Sequence, residues 1–158
     1  MKKIPLTQGK VAIVDDEDFE YLNQWNWCLA KMSRTNEYAM RTIRTPNRVS
    51  IFMHRLVLEA KKGEYCDHIN GNGLDNRRSN LRICGKKENN INRRKNVNNT
   101  TGYKGVCWDK SSKKWKAQVI YKKKYFHLGF FKNKIEAAKA YNEAALKYHR
   151  EFATLNVL

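Results

Sequence analysis

Short stretches of apolar and polar residues follow a recognisable pattern in the first third of the chain. Val11-Ala12-Ile13-Val14 is an apolar run bounded by Gly9 and by Asp15-Asp16, the punctuation of a strand entering a turn. From Asp16 to Trp27, Phe19, Leu22 and Trp25 recur at every third position, which predicts one or two helical turns. Glu37–Thr45 and Val49–Leu56 read as two strands around the Pro46-Asn47 turn, and Leu56–Ala60 as the close of a short helix before Lys61-Lys62-Gly63. Residues 1–57 are therefore expected to be β-rich.

The end of the chain has a cleaner pattern. Lys104–Trp108, Lys114–Tyr121 and Lys124–Phe131 are strand-like, and in the middle run Trp115, Ala117 and Val119 alternate with Lys116, Gln118 and Ile120. A sheet built this way has one apolar face that needs a lid. The segment from Lys134 to about His149 supplies it as a helix, with Asn133 as N-cap, Glu136 closing a capping box, and Ile135, Ala138, Tyr141, Ala145 and Tyr148 as the buried stripe. Between the two patterns, Asn89–Gly102 is asparagine-rich with almost no apolar content and reads as a linker. The fold class expected is α+β: a region at 1–95 with its core at about 50–95, a basic linker at 96–102, and a separate βββα unit at 103–158.

Charge changes the picture from fold to partner. The chain has 32 basic and 15 acidic side chains, a net charge of +17, which attracts polyanions and points to nucleic acid ahead of an anionic membrane. From Lys86 to Lys124 there are 13 basic residues against two acidic ones, and Arg93 and Arg94 in the linker are placed to lie along a phosphate backbone. No apolar run is long enough to span a bilayer, and Met-Lys-Lys-Ile-Pro leads into Leu-Thr-Gln-Gly-Lys rather than a signal-peptide core. A cytoplasmic location is expected. The four cysteines form no Cys-x-x-Cys pair, which argues against a zinc ribbon; they are expected to be buried small apolar residues rather than a disulfide framework.

Residues 67–89 carry the candidate chemistry. Asp67-His68 precedes the loop Asn70-Gly71-Asn72-Gly73, which places acid and imidazole at a strand end, on opposite sides of the backbone. Asn80-Leu81-Arg82 returns to an apolar strip, and Gly85-Lys86-Lys87-Glu88-Asn89 reads as a helix start with Gly85 as N-cap. Asn89 would then face the Asp67-His68 strand from the first turn. A carboxylate and an amide oxygen make a small hard site suited to Mg²⁺ or Mn²⁺, and His68 is the group beside it that takes a proton near neutrality. His54, in Met-His-Arg-Leu-Val, is open to two readings, a structural histidine or a residue near the active site.

Asp-His-Ile-Asn-Gly, then Asp-Asn-Arg-Arg-Ser-Asn-Leu-Arg, then Glu-Asn, closely resembles the HNH nuclease motif in its phage and intron-homing branch, a ββα-metal fold. The resemblance implies Asp67 and Asn89 as metal ligands, His68 as general base, and Asn80 as the asparagine whose side chain pins the loop carrying His68. It departs from the family in having Gly85 where a threonine often caps the last helix, a change worth only a few tenths of a kcal/mol. The C-terminal unit, with Gly102-Tyr103-Lys104-Gly105-Val106, His127-Leu128-Gly129 and Glu136-Ala137-Ala138-Lys139-Ala140-Tyr141, resembles the plant ethylene-response-factor (Apetala-type) DNA-binding domain. The matching contact positions are Lys104, Trp108, Lys114, Gln118 and His127, with Lys116 beside them. Together the resemblances imply a homing-type, metal-dependent endonuclease acting on double-stranded DNA as a monomer or homodimer, with no obligatory protein partner and no membrane. The alternatives are a non-cleaving DNA-binding regulator with an inactive HNH remnant, and a binder of structured RNA.

Overall fold

The Val11–Val14 run becomes the second strand of a hairpin in the computed structural model, which describes residues 1–33, 36–92 and 99–158 and omits the side chain of Lys87. Arg93 and Arg94 therefore lie outside the described residues. The described chain is mixed α and β with small antiparallel sheets, and it divides into two units, Met1–Asn89 and Asn90–Leu158.

In the first unit, β1 (Lys2–Pro5) pairs with β2 (Val11–Val14), and Ile4, Ala12 and Val14 are buried. α1 (Asp16–Leu22) follows, with Asp16, Glu17 and Asp18 in its first turn, where negative charge favours the helix dipole. Leu22 is buried, and its carbonyl accepts the indole N–H of buried Trp27 at 2.8 Å. A second sheet has the order β3 (Cys28–Lys31), β4 (Glu37–Ile43), β5 (Val49–Phe52).

The strand expected over Val49–Leu56 stops at Phe52, and α2 (Met53–Val57) begins there. As a strand, this segment would turn Arg55 to the same face as Met53 and Val57. As a helix it buries Met53 and Val57 and leaves the Arg55 guanidinium to donate to the carbonyls of Glu64, Ala60 and Lys61. β6 (Tyr65–His68) and β7 (Leu81–Cys84) form a separate hairpin, and α3 (Lys86–Ile91) comes directly after it. Leu81 ties this hairpin to the core that contains Met53 and Val57.

In the second unit, β8 (Val106–Asp109), β9 (Lys114–Tyr121) and β10 (Lys124–Phe131) form a sheet of order β10-β9-β8, packed against α4 (Lys134–His149). The Asn133 side chain caps α4 by accepting from the Ile135 N–H at 2.8 Å. The buried stripe is Ala137, Ala138, Tyr141, Ala144, Ala145 and His149, with Tyr148 partly buried against the same core. Ile135, expected in it, is 38% exposed. At 3.6 residues per turn it lies about 120° around the axis from Tyr141, off the face that meets the sheet. Gly105 has a positive φ of 73°, and a Cβ there would overlap the Tyr141 ring, so the helix approaches the sheet this closely only over a glycine.

All four thiols are free, but Cys28 and Cys107 are exposed rather than buried, while Cys66 and Cys84 are half-buried. Cys107 pairs with Lys116 in the sheet, on the face turned away from α4. No helix among the described residues is long and apolar enough to cross a membrane.

Candidate active site and nucleic-acid face

His68 ends β6 and Asp67 precedes it, and both are buried at 5% and 7% exposure. Across the hairpin Asp67 faces Arg82, whose Nε and a terminal nitrogen donate to its Oδ2 at 3.0 and 2.8 Å. The pair brings a buried negative charge a partner in place before any cation is considered. Arg82 was not singled out in the sequence, because only the strand register shows that it stands opposite Asp67.

Asn76 is fully buried and points its side-chain oxygen at His68 Nε2, 3.3 Å away. Its amide nitrogen donates to the Leu74 carbonyl at 3.3 Å, which fixes which end of the amide meets the imidazole. The neutral ring therefore carries its proton on Nε2 and its lone pair on Nδ1. Burial is the main influence on His68 and pushes its pKa below 6.5, against the raising effects of Asn76, Asp67 and Asp75. The imidazole is thus uncharged at neutral pH, the form that accepts a proton.

The loop between β6 and β7 is held by side chains. Asn80 accepts from the Asn70 N–H at 2.9 Å and donates to the Asp75 carbonyl at 2.8 Å, and its own carbonyl accepts from the Ile69 N–H at 2.8 Å. Asp75, also buried, receives Arg77 on both oxygens at 2.7 Å and Asn70 at 2.9 Å, and Arg77 is the main cause of its lowered pKa. The N-terminal elements buttress the same loop. The Ile13 N–H donates to the Leu74 carbonyl at 2.8 Å, and the Asn76 N–H donates to the Ile13 carbonyl at 2.7 Å. Arg78 is clasped by α1, with Nε and a terminal nitrogen on Asp18 at 3.0 and 2.7 Å and its N–H on Asp15 at 2.7 Å. Asn76 escaped the sequence reading; a signal was present in the Asp75-Asn76-Arg77-Arg78 run, but nothing in spacing says which asparagine faces the histidine.

His54 lies beside this loop. Its ring centroid is 5.0 Å from that of His68, with Tyr38 5.5 Å and Phe52 5.6 Å away. Its Nδ1 is buried without a hydrogen-bond partner, and burial, then the His68 and Arg55 charges, push its pKa down to about 3. His54 is thus a neutral wall of the histidine pocket. Asn89 stands in the first turn of α3, half-buried, with its N–H on the Gly85 carbonyl at 3.0 Å, and the Glu88 carboxylate lies over Gly85.

In the second unit, register sorts the other candidates. Lys116 and Gln118 lie on the face opposite α4, and His127 joins them by pairing with Gln118. Lys114 is exposed at the start of β9. Trp108 pairs with Trp115 and stacks edge-on against it at 5.1 Å, on the other side of the sheet, although it is 47% exposed. The Lys104 ammonium donates to the Ile91 carbonyl at 2.8 Å.

Residues 52–91 match the HNH endonuclease family, and residues 101–151 match the AP2 domain. An HNH segment and an AP2 segment share this chain. The HNH segment contains His54, Asp67, His68, Asn76, Asn80 and Asn89, and the AP2 segment contains the whole sheet and α4. The chain is 43% identical over 58 residues to protein 3.8 of Escherichia phage T7, which covers 37% of the chain and 48% of that protein. It is 26% identical over 151 residues to an uncharacterized HNH endonuclease of Acanthamoeba polyphaga mimivirus, covering 94% of the chain and 76% of that protein. The chain thus spans about half the length of the phage relative. No solved structure matches it.

Proposed function

We propose that the chain is a homing-type HNH endonuclease that hydrolyses phosphodiester bonds of double-stranded DNA with a divalent cation. The first unit is the cutting domain, with a ββα-metal core made of β6, β7 and α3, and the second is the DNA grip. The observation that carries the reading is the buried, neutral His68, its tautomer set by Asn76, next to the buried carboxylate of Asp67.

The donor set fits a hard cation. The resemblance to the HNH motif supplies the ligands from this chain, the Asp67 carboxylate and the Asn89 amide oxygen, and the described residues add no cluster of three or more His, Cys, Asp or Glu side chains. Such a sparse oxygen set suits Mg²⁺, or Mn²⁺, because it leaves room for water and phosphate. When bound there, the cation supplies stabilisation of the charge that develops on the phosphate and on the leaving oxygen. His68 Nδ1 takes a proton from the attacking water as its oxygen bonds to phosphorus and the bond to the leaving oxygen breaks. Asn76 holds Nε2–H, and Asn80 keeps the loop behind it in place. Arg82 steadies Asp67 from the neighbouring strand. On the second unit, Lys114, Lys116, Gln118 and His127 meet the duplex, and Arg93 and Arg94 follow its phosphates. The chain acts as a monomer or homodimer in the cytoplasm.

The test is plasmid cleavage with Mg²⁺, comparing the intact chain with His68→Ala. Nicking or linearisation that disappears in the variant supports the reading. Equal cutting by both removes His68 from the mechanism, and duplex binding without any cutting on target-bearing DNA favours a regulator with an inactive site.

A further inference from the structure

The face of the C-terminal sheet turned away from α4 is not a uniformly basic surface. Ala117 and Val119 of β9 are buried against the helix, so their neighbours Lys116, Gln118 and Ile120 point outward. Register adds three partners from β10 on the same face: Phe130 beside Lys116, His127 beside Gln118, and Tyr125 beside Ile120. Ile120, Tyr125 and Phe130 are 50%, 70% and 46% exposed, and Phe130 is braced edge-on by His127 at 4.7 Å. There is no arginine anywhere from Lys104 to Phe131.

This chemistry favours one kind of base pair. Guanine is read best by the two-pronged guanidinium, which the face lacks. Adenine presents N6 and N7 in the major groove to an amide such as that of Gln118, and thymine presents a 5-methyl group to apolar side chains. Gln118 and Ile120 are two residues apart on one strand, about 6.7 Å, close to the span of two base-pair steps. Apolar side chains left open on either side of the Gln118–His127 pair, in a chain of net charge +17, are suited to being covered by a polyanion that offers methyl groups.

We propose that this face selects A·T pairs in the major groove, with Gln118 on adenine and Ile120 and Phe130 on thymine methyl groups. The inference rests on the reading of the second unit as a duplex grip. It is tested with the full chain in the absence of divalent metal. Duplexes retained from a random pool are sequenced, and the best binder is remade with deoxyuridine in place of thymidine, which removes only the methyl groups. Retained duplexes are enriched in A·T, and each contacted methyl lost weakens binding about four-fold. Ile120→Ala, at an exposed position, lowers affinity for the thymidine duplex and shrinks its advantage over the deoxyuridine duplex. A pool enriched in G·C, indifference to deoxyuridine, or full thymidine preference in Ile120→Ala overturns the proposal. Lys114→Ala and Lys116→Ala test the grip separately: they weaken every duplex alike if the grip is there. If neither alters binding to any duplex, the grip reading fails, and the base preference fails with it.

Discussion

The hairpin of β6 and β7 and the sheet of β8 to β10 are both antiparallel strands followed by a helix, but different forces hold them. In the C-terminal unit the link between helix and sheet is mainly apolar: a row of alanines and Tyr141 lies on Ala117 and Val119, His149 Nε2 meets the Ile120 carbonyl, and Asn99, Thr101, Asn142 and Asn156 fasten the segments at the edge of that core. In the N-terminal unit the segment between the strands is fastened largely by side-chain amides, carboxylates and guanidinium groups, those of Asn70, Asp75, Asn76, Arg77, Arg78 and Asn80, beside the backbone bonds to Ile13. An apolar contact is tolerant of small displacements, whereas a hydrogen-bonded network has one geometry and loses much when one member is removed. A grip has to present a surface. A base of the kind proposed for His68 has to be held to within a fraction of an ångström, and a dense polar network surrounds it.

The largest expected effect separates the two units by function. His68→Ala is expected to lower Mg²⁺-dependent cleavage about 10²- to 10⁴-fold while duplex affinity, measured by anisotropy without metal, stays within two-fold on the order of experimental scatter. A parallel fall in affinity would show that the two roles are not divided between the units as described. Next, Asn76→Leu is expected to reduce the turnover rate about 10- to 100-fold, and ¹⁵N shifts of the His68 ring should lose the Nε2–H tautomer. If turnover falls but the tautomer signature is unchanged, Asn76 acts on the loop and not on the imidazole.

Removing a tether tests how far the polar network matters for folding. Arg78→Ala leaves the buried Asp18 carboxylate without its two charged bonds, though the arginine side chain is 47% exposed. The expected loss is about 1–2 kcal/mol, seen as a lower melting temperature of the first unit alone. An unchanged melting temperature would mean that the α1 clasp is ornamental.

The smallest effect is one of pH. His54 and His68 have folded pKa values lowered from 6.5, His54 to about 3. Above about 6.5 both states are uncharged and the stability is fully present. As pH falls from there toward 3 the unfolded chain takes up protons the folded chain refuses, at up to about 1.4 kcal/mol per pH unit per histidine. Acid should therefore melt the first unit before the second, by scanning calorimetry from pH 7 to pH 4, and the acid limb of cleavage should lie below 6.5. His54→Phe, which keeps a ring in the pocket, should flatten the stability slope; an unaltered slope would place the proton uptake elsewhere.

How much of this was legible in the chain differs between the units. Strict alternation through Trp115, Ala117 and Val119 and the spacing of Ala138, Tyr141 and Ala145 were enough to place the βββα order and the side of the sheet that the helix covers. The segment Val49–Leu56 was harder, because Met53 and Val57 fall on one face in either a strand or a helix. What decided for the helix was Arg55, which finds three carbonyls at the far end of the turn, contacts that lie outside any local window.

The sequence by itself determined the charge, the division into two patterns, the absence of arginine from the C-terminal strands, and the motif that contains Asp67, His68, Asn80 and Asn89. Those properties are set by residue type and spacing. Only the tertiary structure decided that Arg82 meets Asp67, that Asn76 rather than its neighbours meets His68, that His54 closes the same pocket, and that Ile120, Tyr125 and Phe130 share one open face. Each of these depends on strand register or on contacts between residues far apart in the chain, and one step of register turns a side chain to the opposite face.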